Sequence, residues 1–239
     1  MGCDNKVTMV IRRAETRDRT ARESLIREGL SSYHWDAFVF FFFQELTLEC
    51  CVLSGAVLFI FMGVSAVGCC CVIPVAVAVI TVAVVFAHHI IADKQIQNMR
   101  METMGYVAEV YGPLLIDPAS CTHRIIAEEE LQQVDFGRPM HSQVVGTVSV
   151  RDGRMQALHV GRGWRGRGCG TELLAATARG ATAAGWPTLA AAVSELQGEA
   201  RLLLQRQGWA PFGSHHRRLL GSALTLLVSH HSLDLTSST

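Results

Sequence analysis

The chain has 239 residues, which is enough for one globular domain with a small additional segment and too few for two full-sized domains. Its 49% of hydrophobic residues excludes a disordered chain, and its 18% of charged residues excludes a protein made only of membrane spans. The 21 basic residues balance 21 acidic ones, so no overall field favours a nucleic-acid partner, and charge-driven binding has to be local.

The N-terminal segment, residues 1–34, has the pattern of a strand followed by a helix. Alternation of apolar and polar residues over 6–13 predicts a short strand, and apolar residues at helical spacing over 15–30 predict an amphipathic helix. We expect this unit to form part of the same domain as the soluble residues that follow the apolar segment.

Residues 35–92 are predicted to be a membrane segment. Their first part is rich in aromatic residues, which collect at the membrane–water interface, and 50–92 contains no Asp, Glu, Lys or Arg. One helix needs about 20 apolar residues to cross a bilayer. The sequence therefore predicts a hairpin of two spanning helices near 50–70 and 73–92, with its turn at 68–74, where Gly, Cys and Pro cluster.

The residues that flank the apolar segment indicate its orientation. Arginines precede it, and Lys94 and Arg100 follow it, so the positive-inside rule places the soluble parts on the cytosolic side. Five of the eight cysteines lie in the apolar segment or at its edge, and no CxxC or HExxH spacing occurs, so neither a disulfide framework nor a metal site is expected.

The main soluble region, residues 93–228, alternates strands and helices and predicts an α/β (α+β) fold. A helix is expected over 94–111, whereas 121–143 gives no clear element beyond an acidic run at 128–130 and a loop at 136–139. The next expected elements are a hairpin of strands 144–150 and 154–160 turning at Asp152 and Gly153, a helix over 169–184, a strand over 187–193 and a helix over 198–207. The small, polar residues 229–239 are expected to be a flexible tail.

The most informative segment is LHVGRGWRGRGCG, residues 158–170, between a predicted strand and a predicted helix. Glycines allow backbone N–H groups to point inward, and the following helix N-terminus favours an anion. A P-loop is excluded because Cys169 and Gly170 stand where Lys and Ser or Thr are needed. A GxGxxG match at Gly161 is weak, because too little chain remains for a Rossmann unit, and a basic loop without function is the plain alternative.

Residues 160–170 resemble the acetyl-CoA loop of the GNAT superfamily of N-acetyltransferases. Arg165, Gly168 and Gly170 match the family signature (Q/R)xxGx(G/A), and Trp164 takes its aromatic place. A second family motif, A-x-x-L-Y-x-x-x-G-F, is matched at Ala200, Leu203, Gly208 and Trp209. The resemblance covers roughly 143–213, and more loosely 7–30.

This resemblance implies a GNAT-like mixed central sheet flanked by helices, with the membrane hairpin inserted in it. It implies acetyl-CoA as cosubstrate, without a metal, with the pyrophosphate on the loop amides and the pantetheine along a preceding strand that splays from its neighbour. The cofactor-binding residues expected on this basis are Leu158, Val160, Arg165, Gly166, Arg167, Gly168, Cys169, Gly170 and Gln197.

In such enzymes the acceptor amine attacks the thioester directly, and a base or water takes its proton. His159 and Glu195 are the candidate catalytic bases in this sequence. Leu204 stands where the family often has a tyrosine that protonates the leaving thiolate. Two alternatives therefore remain open: a catalytically silent CoA-binding module that acts as a membrane sensor or scaffold, and a membrane protein whose loop binds phospholipid headgroups.

The inserted hairpin makes the architecture similar to the camello-type branch, membrane-bound acetyltransferases of the endoplasmic reticulum. That similarity implies a multi-pass membrane protein whose catalytic domain, following the arginine count, faces the cytosol, although some members of the branch face the lumen. The expected partners are acetyl-CoA, membrane lipid and a small-molecule or peptide amine: an amino acid, a cysteine conjugate or a lysine.

Overall fold

The structure, a computed structural model, describes residues 6–112, 118, 121–127, 141–220 and 224–236. The strands in these residues are β1 (Lys6–Arg13), β2 (Met104–Gly112), β3 (Thr122–Ala127), β4 (His141–Arg151), β5 (Arg154–Val160), β6 (Thr188–Ser194), β7 (Ala210–Leu220) and β8 (Leu224–Asp234). The helices are α1 (Arg19–Ser31), α2 (His34–Phe42), α3 (Glu45–Met62), α4 (Ala66–Cys69), α5 (Val72–Arg100), α6 (Cys169–Ala183) and α7 (Gly198–Arg206).

The described strands form one eight-stranded sheet in the order β3-β1-β2-β4-β5-β6-β8-β7. The β1–β3 and β5–β6 pairs are parallel and the other neighbours are antiparallel, so the sheet is mixed. Helix α6 packs on one face, and α1 and the second half of α5 pack on the other. The predicted fold class, a mixed sheet flanked by helices and accompanied by two apolar helices, is confirmed.

Strands β5 and β6 separate soon after they meet. Among the described residues they pair only at Arg154 with Ala190 and at Met155 with Ala191. Beyond Met155, β5 continues to pair with β4, and β6 continues to pair with β8. The sheet therefore opens between the carboxyl ends of β5 and β6, as the family resemblance implies for the strand before the loop.

The hairpin of β4 and β5 has the predicted turn. Asp152 and Gly153 have φ values of 51° and 71°, and two successive left-handed residues make the type I′ turn that suits a two-residue hairpin. Asp and Gly are among the residues that adopt this conformation at least cost. The local sequence is therefore sufficient to predict this turn.

The break in the apolar segment lies earlier than the sequence predicts. Helix α3 begins at Glu45, inside the aromatic-rich part, and ends at Met62, where Gly63 takes a left-handed φ of 64°. Pro74 does not end a helix, because it lies in the first turn of α5, where its missing N–H has no intrahelical partner to lose. Helix α5 then runs to Arg100 instead of ending near 92.

Two other predictions are wrong. Residues 104–111, expected to continue a helix, belong to β2 between β1 and β4, because pairing on both edges outweighs a helical pattern. Residues 229–234, expected to be a frayed tail, belong to β8 and pair with β6. Strand β3 was not predicted, and the acidic run at 128–130 and the loop at 136–139 lie outside the described residues.

The apolar helices leave most of their surface uncovered by protein. Helix α3 and the stretch Ala66–Arg100 are long and apolar enough to cross a membrane, with mean hydropathies of 1.9 and 2.9. In the most apolar 18 residues of each, only 0% and 6%, respectively, are buried. The second half of α5 differs, since Ala92, Ile96 and Met99 are buried against the sheet. One continuous helix therefore joins the apolar hairpin to the α/β domain.

A buried ion-pair network holds the start of the chain to the sheet. Arg12 on β1 donates hydrogen bonds to Asp18 at 2.7 Å and to Glu109 on β2 at 2.6 Å, and all three side chains are almost fully buried. Burial alone would raise the pKa of Asp18, but the hydrogen bonds from Arg12 outweigh it, and the pKa lies below its usual value. The network therefore keeps its charges at neutral pH.

Candidate functional site

The loop between β5 and α6 is shaped by glycines. Gly166 and Gly168 have φ values of 72° and 79°, a left-handed conformation that favours glycine. Gly168 directly precedes α6, and the first bond of the helix runs from the Glu172 N–H to the Gly168 carbonyl at 3.0 Å. Within the described part of the chain, the amides of 169–171 have no hydrogen-bond acceptor. Free amides and the positive end of the helix dipole together favour an anion at this position.

A cavity of about 630 Å³ lies against this loop. Six of the nine predicted cofactor-binding residues line it: Leu158, Val160, Arg165, Gly166, Gly168 and Gly170. The opposite wall comes from α7. This helix lies so close to the loop that a Cβ added at Gly170 would be only 3.0 Å from Leu203 Cδ2. The cavity therefore runs from the free edge of β5 to the N-terminus of α6.

Arg165 is fixed at the cavity by two hydrogen bonds. Its Nε donates to the Val160 carbonyl at 3.3 Å, and its Nη2 donates to Ser32 Oγ at 3.0 Å. The guanidinium therefore joins the loop to the end of β5 and to the C-terminal end of α1. On α7, Arg206 adds a second positive charge to the lining of the cavity and Glu199 adds a negative charge.

The three remaining predicted cofactor residues do not line this cavity. Arg167 turns away, with Nη1 3.3 Å from the Cys121 carbonyl and its guanidinium 5.7 Å from the ring centroid of Trp164. Cys169 is 1% exposed, and burial raises the pKa of its thiol to about 12, so it is not a nucleophile at neutral pH. Gln197 accepts a hydrogen bond from the Ser194 N–H at 3.2 Å.

His159 is among the residues that line the cavity, but its ring points to the face of the sheet opposite α6. A 3.0 Å hydrogen bond joins its Nε2 to Gln95 Oε1 on α5, and its ring packs so closely on α1 that a Cβ at Gly29 would collide with Nδ1. Burial, helped by the charge of Arg165, lowers the pKa of His159 to about 4. The imidazole is therefore neutral at pH 7 and is a weak base.

Glu195 lies just beyond β6, outside the residues that line the cavity. Its Oε1 accepts a hydrogen bond from the Leu227 N–H at 2.9 Å, and its own N–H donates to the Leu227 carbonyl at 2.9 Å. The carboxylate therefore links the end of β6 to β8, and the structure does not bring it to the loop.

Tyr33 is a cavity residue that the sequence did not indicate. It follows α1, lines the cavity, and is adjacent in the chain to Ser32, which accepts a hydrogen bond from Arg165. Burial raises the pKa of its half-buried phenol, although Arg165 acts in the opposite direction, so the hydroxyl is protonated at neutral pH. No spacing relates Tyr33 to the loop. Arg206, in contrast, could have been found, since it follows Leu203 by one helical turn.

No protein-family model matches this sequence, and no curated protein matches it. Nor do the described residues contain a group of three or more His, Cys, Asp or Glu side chains that could hold a metal ion.

The solved structures that the chain resembles include several acetyltransferases. A GCN5-related N-acetyltransferase from Rhodopseudomonas palustris is 13% identical over 95% of this chain and 96% of its own, with a TM-score of 0.47. A Salmonella typhimurium protein, assigned as an acetyltransferase and solved with its cofactor acetyl-CoA, is 13% identical over 95% and 94%, with a TM-score of 0.47.

A third structure is a Bacillus anthracis protein assigned as a streptothricin acetyltransferase, in complex with acetyl coenzyme A. It is 14% identical over 56% of this chain and 62% of its own length, less than two thirds, with a TM-score of 0.40. At these identities and TM-scores the similarities support no residue-level conclusion, so the chemistry of the site depends on its own geometry.

Proposed function

We propose that this protein is a membrane-anchored N-acetyltransferase of the GNAT type, similar to the camello-type branch, which transfers an acetyl group from acetyl-CoA to a primary amine. The observation that carries the proposal is the cavity of about 630 Å³, which joins the free edge of β5 to the glycine loop at the N-terminus of α6. An anionic diphosphate suits the amides at one end, and an amide-containing chain suits the strand edge at the other.

The free edge of β5 offers the hydrogen-bonding groups that the pantetheine arm needs. The Gly161 N–H donates to the Val145 carbonyl on β4 at 2.8 Å. Because antiparallel pairing alternates along a strand, the backbone groups of Leu158 and Val160 face away from β4, towards the opening left by β6. The Val160 carbonyl already accepts from Arg165, which leaves both backbone groups of Leu158 for a ligand.

The reaction in this proposal is direct attack of the amine on the thioester. An acyl-enzyme on Cys169 is disfavoured because its thiol is buried and protonated. His159 and Glu195 are held by Gln95 and Leu227, so water, not either side chain, removes the amine proton. Tyr33, which lines the cavity with a protonated phenol, is the proposed proton donor to the thiolate of CoA.

Membrane anchoring is part of the proposal and is supported by the two exposed apolar helices. Because α5 continues directly into the domain, the cavity would lie close to the bilayer surface. The proposed location is the endoplasmic reticulum, as for the camello-type proteins, with the domain in the cytosol. Protease protection in sealed microsomes tests the orientation, since a cytosolic domain is digested without detergent.

A catalytically silent CoA-binding module is the second candidate, and Leu204 favours it. This leucine stands where the family often has its proton-donating tyrosine, and it is fully buried among apolar side chains. Calorimetry with acetyl-CoA, combined with release of CoA in the presence of amines, separates the two functions. Binding with turnover supports the enzyme, binding without turnover supports the silent module, and absence of binding by folded protein contradicts both.

A further inference from the structure

A second, smaller cavity of about 220 Å³ lies where the sheet meets the apolar helices. Ala192 and Ser194 of β6 line one side, and Phe41 of α2 and Ala87 and Ile91 of α5 line the other. It is separate from the cavity that contains the glycine loop, and the proposed cofactor site does not use it.

The two cavities lie on the two sides of the opening between β5 and β6. Residues of β5 line the first cavity and residues of β6 line the second. Tyr33 lines both, and the hydrogen bond between His159 and Gln95 joins a residue of the first cavity to a residue of the second. A molecule in the second cavity would therefore face the region where a thioester lying along β5 would end.

The chemistry of the second cavity restricts what it can hold. None of the described residues that line it is Asp, Glu, Lys or Arg, and most of the lining side chains are apolar. The polar side chains that line it are Tyr33, His88, Gln95, Ser194 and Gln197. Of these, Gln197 Oε1 already accepts from the Ser194 N–H, Gln95 Oε1 is bonded to His159, and His88 Nδ1 is 3.0 Å from the Val84 carbonyl. A carboxylate buried here would lose its hydration without meeting a cation, whereas an apolar group would lose nothing.

We propose that the second cavity is the acceptor site and that it takes a primary amine carried on an apolar alkyl or aryl group without a carboxylate. This inference rests on the proposed acetyl transfer and names the class of acceptor. The amine nitrogen forms a bond to the acetyl carbon, the carbon–sulfur bond breaks, and the thiolate takes the proton of Tyr33. The amine proton leaves to water, and water returns a proton to the Tyr33 phenolate.

The same cavity explains how the reaction proceeds without His159 or Glu195 as a base. An uncharged, apolar site favours the neutral form of an amine over its ammonium form, because burial penalises the charge. The neutral amine is the nucleophile that the reaction needs. Neither His159 nor Glu195 is then required to remove a proton before attack.

The volume of the cavity sets the expected chain length. About 220 Å³ corresponds to roughly seven water volumes, enough for a short alkyl chain or one ring. Each methylene buried should raise kcat/KM about fourfold until the cavity is full. We therefore expect kcat/KM to increase from ethylamine to butylamine and hexylamine and then to level off.

The test uses the full chain in detergent with saturating acetyl-CoA and measures release of CoA. Hexylamine is compared with ethylamine and with 6-aminohexanoate, which has the same number of carbon atoms and a terminal carboxylate. We expect hexylamine to exceed each of them at least tenfold in kcat/KM. Equal values for the three amines, or a preference for the carboxylate, would overturn the acceptor assignment while leaving the transferase intact. Absence of turnover with every amine would instead contradict the proposed function.

Two substitutions at Ala192, an exposed residue of β6, locate the effect in this cavity. Ala192→Phe fills the cavity and should lower the ratio of hexylamine to ethylamine activity at least tenfold. Ala192→Arg supplies a cation and should raise 6-aminohexanoate relative to hexylamine. The matched control is Ala183→Phe, at an exposed position of α6 outside both cavities, which should leave both ratios unchanged. If Ala192→Phe and Ala183→Phe give the same ratios, the amine binds elsewhere.

Discussion

Substitution of Gly168 by Asp tests the proposed diphosphate site with little disturbance to the fold. A Cβ at Gly168 would lie 3.6 Å from Ile125 Cδ1, an ordinary contact, so the cost comes from the left-handed backbone and is about 1–2 kcal/mol. A carboxylate beside the positive end of α6 returns about 0.3–1 kcal/mol. The free energy of unfolding should therefore fall by only about 1 kcal/mol.

The effect on binding should be much larger. At an effective dielectric constant of about 20, the repulsion between a carboxylate and each unit of negative charge on a phosphate about 5 Å away is about 3 kcal/mol. That energy weakens binding on the order of a hundredfold. Gly168→Ala adds a side chain without charge and should weaken binding far less, because the amides and the helix dipole remain.

Calorimetric titration with acetyl-CoA measures the affinity, and thermal unfolding of the same samples measures stability. Gly185→Asp is the matched control: Gly185 follows the other end of α6 and has a φ of 75°, and a Cβ at this position would meet no atom within 4 Å. At that end the carboxylate interacts unfavourably with the helix dipole. Gly185→Asp should therefore be less stable than Gly168→Asp and yet bind acetyl-CoA with wild-type affinity. Wild-type affinity in folded Gly168→Asp, or equal loss in both Asp variants, would refute the diphosphate site.

The remaining predictions concern proton transfer and stability. Tyr33→Phe should lower kcat about a hundredfold and leave the Kd for acetyl-CoA unchanged, and an unchanged kcat would remove Tyr33 as the proton donor. Asp18→Asn should lower the free energy of unfolding by about 3 kcal/mol at pH 7, because it breaks a buried pair with Arg12. Since the pKa of Asp18 is lowered by folding, that stability is present above about pH 4 and lost as the pH falls, so urea titrations of the two proteins should converge in acid.

The elements that the sequence predicted correctly are those whose signals are local. The turn at Asp152 and Gly153 needs two left-handed residues, and both residue types favour that conformation. The glycine loop and the start of α6 are also adjacent in sequence, so their spacing could be recognised. Strand β2 could not be predicted in this way, because its neighbours β1 and β4 are distant in the chain and determine its conformation.

The candidate site shows the same contrast between residues that are close in sequence and residues that only the fold brings together. Leu158, Arg165 and Gly168 lie within one short segment, and the structure places all three at one cavity. Tyr33 reaches that cavity from the other side of the sheet, and its position depends on how α1 packs. The sequence pattern also could not show that Glu195 is engaged by Leu227, since that contact depends on the pairing of β6 with β8.

Helix α5 connects the apolar hairpin to the strand on which the acetyl arm is proposed to lie. Where β5 loses β6 as a neighbour, two side chains of α5 hold it instead: Gln95 contacts His159 at 3.0 Å, and Asn98 donates to Gln156 at 3.1 Å. Beneath them Ala157 is buried against the same helix. The helix proposed to anchor the protein therefore also holds the face of β5 opposite α6, so that the proposed anchoring and the shape of the proposed cofactor cavity depend on the same element. The apolar hairpin is thus continuous with a helix that forms part of the α/β domain.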